Sequence, residues 1–272
     1  MSELRYAKMI VKAEFYAYMC WLKNNKLFAF MTLAWPYLMA AFILGLGTAL
    51  GSLSVFASKV GVGDPIFYIV LASGVLVSSI NVVDYSAWTL IDLKWLGVLP
   101  YIMASPPGLR RVTMYGLIIP AMISSAISLT AVAPVAVFTE GPLGLVKVVV
   151  VLGLVYLATI PLIGIAVIAG SLSLIFKEES FVSFLSPLML LVSGVYYPIT
   201  FLPKILQVFS YIVPVTYVVE AAKILSVYGV PPFDKLFWII GVLVAMSISY
   251  NLIAYPGLRS VEKNVRKHGI ST

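Results

Sequence analysis

Residues 148–176 read VVVVLGLVYLATIPLIGIAVIAGSLSLIF, 29 positions without one charged side chain. A helix rises about 1.5 Å per residue and a bilayer core is about 30 Å thick, so roughly 20 such residues cross it. The stretch is therefore read as a membrane span, bounded by Lys147 on one side and Lys177 on the other. The same measure applied outward finds uncharged windows at 27–58, 65–83, 112–139, 180–203 and 236–258, of 32, 19, 28, 24 and 23 residues. Six spans are expected, at about 27–50, 65–86, 112–138, 148–171, 180–197 and 236–257. Windows 95–109 and 205–219 hold 15 residues each and are too short to span.

The whole composition agrees. Of 272 residues only 18 are Lys or Arg and 11 are Asp or Glu, 61% are hydrophobic, and the mean hydropathy is +1.04. A soluble domain is about 25% charged. A soluble fold of this size cannot bury so much apolar surface, which excludes a soluble enzyme, a disordered chain and a nucleic-acid binder. An all-α integral membrane protein remains, because only helices and closed barrels satisfy their backbone polar groups in lipid. One domain is expected over 1–272, with no cleavable leader. A single Cys (Cys20) and a single His (His268) allow no intrachain disulfide and argue against a His/Cys metal site.

Orientation follows from the net charge of +7. With six spans, the side holding both termini carries 13 of the basic residues, among them Arg5, Lys8, Lys12, Arg110, Arg111, Arg259 and Lys263. The other side carries five: Lys59, Lys147, Lys204, Lys223 and Lys235. The positive-inside rule then places both termini in the cytoplasm of a cell-membrane protein. A seventh span at 205–219 would put the basic tail outside, so that segment is read as a re-entrant or interfacial hairpin.

Three segments are neither spans nor plain loops. Over 4–22, Arg5, Lys8 and Lys12 share one helix face opposite Met9, Ile10 and Ala13, as expected for an amphipathic interfacial helix. A frayed charged leader is the other reading. Residues 87–111 form the largest expected cytoplasmic loop, yet they carry Trp88 and Trp95 among Leu90, Ile91 and Leu96. Such a stretch is expected to form a short helix that either docks on a partner or lies tucked against the bilayer surface. Residues 186–223 are broken by Pro187, Pro198, Pro203 and Pro214. Each removes a backbone donor and bends or ends a helix. Broken helix at membrane depth is tolerated only where protein buries it or it lines a cavity.

Other patterns carry less. Gly47 and Gly51 form a GxxxG suited to helix packing. Asp84, one turn after Asn81, closes the second window, where a capping role and a substrate contact both stay open. No nucleophile–base arrangement and no phosphate-binding loop of the Gly-x-x-x-x-Gly-Lys-Ser/Thr kind occurs.

Ser193-Gly194 with Pro198, Leu202-Pro203, and Pro214 with Thr216-Tyr217 together resemble the permease subunit of ATP-binding-cassette exporters of the type-2 kind. The resemblance covers roughly residues 5–258. In that family a coupling loop often carries an acidic-Gly-Thr-acidic pattern before a Ser-Pro. Here Ser105-Pro106 and Arg110-Arg111 stand, but the acidic cluster is reduced to Asp92 with Gly97 downstream. The resemblance implies a coupling loop at 87–111 and an outer hairpin at 198–223. It implies a transport subunit that binds no cofactor itself, with ATP and Mg on a separate ATPase subunit, a second permease copy, and membrane lipid around both. The implied ATPase-coupling residues are Asp92, Lys94, Trp95, Lys177 and Glu178. The implied outer gate is Ser193, Gly194, Pro198, Pro203, Pro214, Tyr217 and Glu220. Tyr196, Tyr197, Asn81 and Asp84 are candidates to line the pathway. The expected substrate is hydrophobic or amphipathic. Export of a lipid-linked glycan, a membrane-embedded enzyme and a membrane anchor are the alternatives.

Overall fold

The computed structural model describes residues 3–50, 58, 60–228 and 231–268, without the side chains of 46–50 and 268. The fold is all-α: 88% of the described residues are helical, and no strand occurs among them. Gly51 lies outside the described residues, and with it the expected GxxxG contact.

Helix α1 (Glu3–Asn24) turns Ile10 and Tyr18 inward and leaves Arg5, Lys8 and Lys12 exposed. It is followed by α2 (Lys26–Leu50). Helix α3 (Pro65–Trp95) begins where the Asp64 carboxylate accepts from the backbone N–H groups of Ile66 and Phe67, at 2.9 and 3.2 Å. Asp64 with Pro65 in the first turn is a strong helix start. After the short α4 (Leu99–Ala104) comes a column built of α5 (Gly108–Gly116), α6 (Ile118–Thr130) and α7 (Ala133–Glu140). The column breaks shortly ahead of Pro120 and Pro134, which cannot donate to the helix ladder. Helix α8 (Pro142–Phe176) runs back, and α13 (Phe233–His268) lies along it.

Helices α3 and α8 are the centre. The most apolar stretch of α3 is 83% buried within the protein, against 22% for α2 and 17% for α13. Inside lipid, helices gain little from hiding apolar surface and depend on close fit. That fit is visible at Gly170 of α8, where an added Cβ would lie 3.1 Å from the Ala87 carbonyl of α3. At Gly164 it would lie 2.8 Å from the Tyr250 Cβ of α13.

Two expectations need correction. Residues 87–111 are not a loop: α3 continues through Trp95, with Ala87, Leu90 and Ile91 buried against its neighbours. Only 96–98 and 105–107 leave helical geometry there. Asp84, Asp92 and Lys94 end an uncharged window, but charge alone does not end a helix. The stretch expected as a fifth span, 180–197, is helical only as α9 (Ser180–Ser183) and α10 (Leu185–Val192). Thirteen residues reach about 20 Å, short of a bilayer core on their own. Yet α8 and α13 run parallel, with Gly164 beside Tyr250 and Gly257 beside Ser171, so the chain still crosses between them. A 3-10 turn (Ile199–Phe201), α11 (Lys204–Ile212) and α12 (Pro214–Val227) follow, the last two bent by 89°. Five helices are thus long and apolar enough to cross a membrane, or six if the bent pair is one span.

Candidate functional site

At one end of the bundle the last turn of α3 meets the turn after α8. Trp95 donates its indole N–H to Glu179 Oε1 at 2.9 Å. Lys94 lies over the Trp95 ring, 5.5 Å from its centre. Lys177 caps α8 in the left-handed conformation, φ 61°, which turns the chain sharply enough to present Glu178 and Glu179. Asp92, Lys94, Trp95, Lys177 and Glu178 are thereby gathered at the ends of the two central helices. Trp95 remains 67% exposed despite its bond to Glu179. Leu96, Tyr101, Phe176, Phe181 and Phe184 are exposed too. A shallow groove bounded by Glu178, Glu179, Phe184 and Pro187 adjoins Trp95. The result is an aromatic face edged with carboxylates. Glu179 was not singled out in the sequence, where nothing distinguishes it from its neighbour Glu178.

Pro187 lies in the first turn of α10, and the other three prolines of residues 186–223 fall at element boundaries. Pro198 precedes the 3-10 turn, Pro203 precedes α11 and Pro214 opens α12. Gly194 has φ +79°, and a Cβ there would also approach Ile199 Cγ1 to 3.0 Å. Ser193 is fully buried. Gln207, unmarked in the sequence, donates to the Leu202 carbonyl at 2.8 Å and closes the turn. Tyr217 donates to the Tyr211 carbonyl at 3.0 Å, and Tyr250 of α13 to the Ile212 carbonyl at 2.5 Å. Glu220 is exposed, 4.0 Å from Lys223.

The candidate pathway residues are not assembled into one surface. The Tyr197 hydroxyl bonds back to the Leu191 carbonyl at 2.6 Å, while Tyr196 reaches Met39 Sδ on α2 at 3.2 Å. Asn81 donates to Ser128 Oγ on α6 at 3.4 Å. Asp84 accepts from Ser186 on α10. Asp84, Ser186 and Tyr196 stay partly exposed. Among the described residues no group of three or more His, Cys, Asp or Glu is placed to hold a metal ion. No protein-family model matches the sequence, and no curated protein matches it.

Proposed function

We propose that the chain is the membrane-spanning permease subunit of an ATP-driven exporter of the type-2 kind, in the cell membrane with both termini cytoplasmic. The observation that carries this reading is the Trp95–Glu179 contact. It joins the ends of the two central helices into one exposed aromatic and acidic face. A soluble ATPase seated there presses on α3 and α8 together, and rigid movement of packed helices transmits that push across the bilayer. The outer hairpin supports the same reading: a short α10 followed by a pair bent by 89° leaves irregular backbone that needs a protein-lined setting. ATP and magnesium bind the ATPase subunit. A second permease copy completes the pathway, and the substrate is hydrophobic or amphipathic.

The test is tagged purification from mildly crosslinked membranes, with identification of a stoichiometric partner that carries a phosphate-binding loop and hydrolyses ATP. Trp95→Ala and Asp92→Arg should each release that partner while leaving membrane insertion intact, as read by protease protection. Full recovery of the ATPase with both variants overturns the docking face. Absence of any such partner from the crosslinked wild type overturns the exporter reading itself.

A further inference from the structure

A cleft of about 390 Å³ opens between the start of α1, the start of α5 and the late part of α13. Arg110, Arg111 and Tyr115 of α5 line it with Tyr255 and Glu262 of α13 and Glu3 of α1. Both guanidiniums rest on aromatic shelves: Arg110 over Tyr255 at 4.7 Å and Arg111 over Tyr6 at 5.2 Å. Arg111 holds the Glu3 carboxylate in a fork, with Nε 3.0 Å from both carboxylate oxygens. Arg110 also bonds the Tyr255 hydroxyl and lies 3.8 Å from Glu262.

Two features of the surroundings identify what else this fork fits. Arg259, Lys263, Arg266 and Lys267 follow the cleft along α13 at helical spacing, all exposed. Toward the bilayer, Val244, Ile248, Leu252 and Tyr255 form an exposed apolar stripe on α13 that leads to the cleft mouth. Planar guanidiniums suit a phosphate as well as a carboxylate. A ligand whose charged head meets the arginines while its apolar part follows the stripe is a lipid. Glu3 is the weaker tenant, since it sits in an exposed helix end and surface ion pairs contribute little.

We propose that this cleft holds the phosphate of an anionic phospholipid from the leaflet on which α1 lies, with Glu3 as a built-in competitor for Arg111. Lipid binding then releases the first turn of α1 from α5. The proposal needs only the membrane setting and stands whether or not the chain transports anything.

The purified full chain in neutral detergent is titrated with phosphatidylglycerol, phosphatidylcholine and inorganic phosphate, with bound ligand read by native mass spectrometry. Phosphatidylglycerol should bind in preference to phosphatidylcholine, and inorganic phosphate should not displace it. The double variant Arg110→Gln/Arg111→Gln should weaken binding about 25-fold, from about fivefold per basic residue beside an anionic headgroup. Glu3→Gln should tighten it, a gain that misfolding cannot mimic. Unchanged phosphatidylglycerol retention in a folded double variant overturns the site. If the double variant does not fold, Glu3→Gln decides, and unchanged or weaker binding overturns the competition. Equal binding of phosphatidylcholine, or displacement by inorganic phosphate, overturns the assignment to an anionic lipid.

Discussion

Glu14 lies on the inward side of α1, close enough to Gly116 of α5 that a Cβ there would meet its Cγ at 3.3 Å. Burial pushes its carboxyl above the usual range. Undocked, Glu14 would titrate normally, so docking of α1 favours the protonated form. That contribution is complete at low pH and is lost as pH rises through the raised value. Glu3 behaves oppositely: its bond from Arg111 holds the carboxyl below the usual range. That contribution is present above the usual range and is lost as pH falls through the depressed value. Hydrogen exchange of α1 amides, corrected for intrinsic rates, should therefore speed up toward both ends of a pH series. Glu14→Gln should flatten the upper limb alone and Glu3→Gln the lower limb alone; variants that leave both limbs in place would refute the assignment. Gly164 gives a second residue-scale expectation. A Cβ there would clash with Tyr250, while one at Gly153 meets nothing within 4 Å. Gly164→Val should destabilise the protein by about 1–3 kcal/mol through overpacking of α8 against α13. Gly153→Ala should be nearly neutral in the same thermal unfolding assay.

The hairpin of α7 and α8 turns at Gly141, φ +65°, and is closed by an ion pair that is almost dry. Lys147 is only 3% exposed, its Nζ 2.5 Å from Glu140 and 5.4 Å from the centre of the Phe67 ring on α3. Removing one partner of a buried pair strands the other charge, so Lys147→Met should cost about 3–5 kcal/mol. The double variant Lys147→Met/Glu140→Leu should recover most of that in detergent melting curves; no recovery would mean that the lysine acts through its packing. This element also shows where sequence reading stops. Window counting took Lys147 as the edge of a span, because a charge in a sequence carries no sign of its partner. The same blindness ended the second span near Asp84 and turned the buried end of α3 into a loop. The long apolar helices were legible, since a run of 29 uncharged residues has few other homes. The breaks at Pro198, Pro203 and Pro214 were legible too, because proline acts locally. The Trp95–Glu179 contact spans 84 residues and leaves no local trace.

For the whole molecule, the unequal burial of its outer helices bears on where a second copy would sit. Helix α2 packs on α3 and α6, and α13 packs chiefly on α8, yet each hides less than a quarter of its apolar stretch. Their exposed faces differ. The α2 face carries Phe30, Leu38 and Phe42 and lies beside Tyr196, whose ring centre is 6.4 Å from that of Phe42. Asp84, on the helix α3 that α2 packs against, is bonded to Ser186 and only half-buried. The α13 face is the uniformly apolar stripe of Val244, Ile248 and Leu252. A polar group within a bilayer needs a partner or a water-filled path, whereas an apolar stripe needs only lipid. If a pathway lies between two copies of this chain, the α2 flank faces it. In a Cys20→Ser background, Leu38→Cys should form an oxidative crosslink between copies in native membranes, and Leu252→Cys should not. Strong crosslinking at Leu252→Cys with none at Leu38→Cys would move the partner to α13. The stripe proposed to guide a lipid would then be a protein interface, and Asp84 would need another explanation.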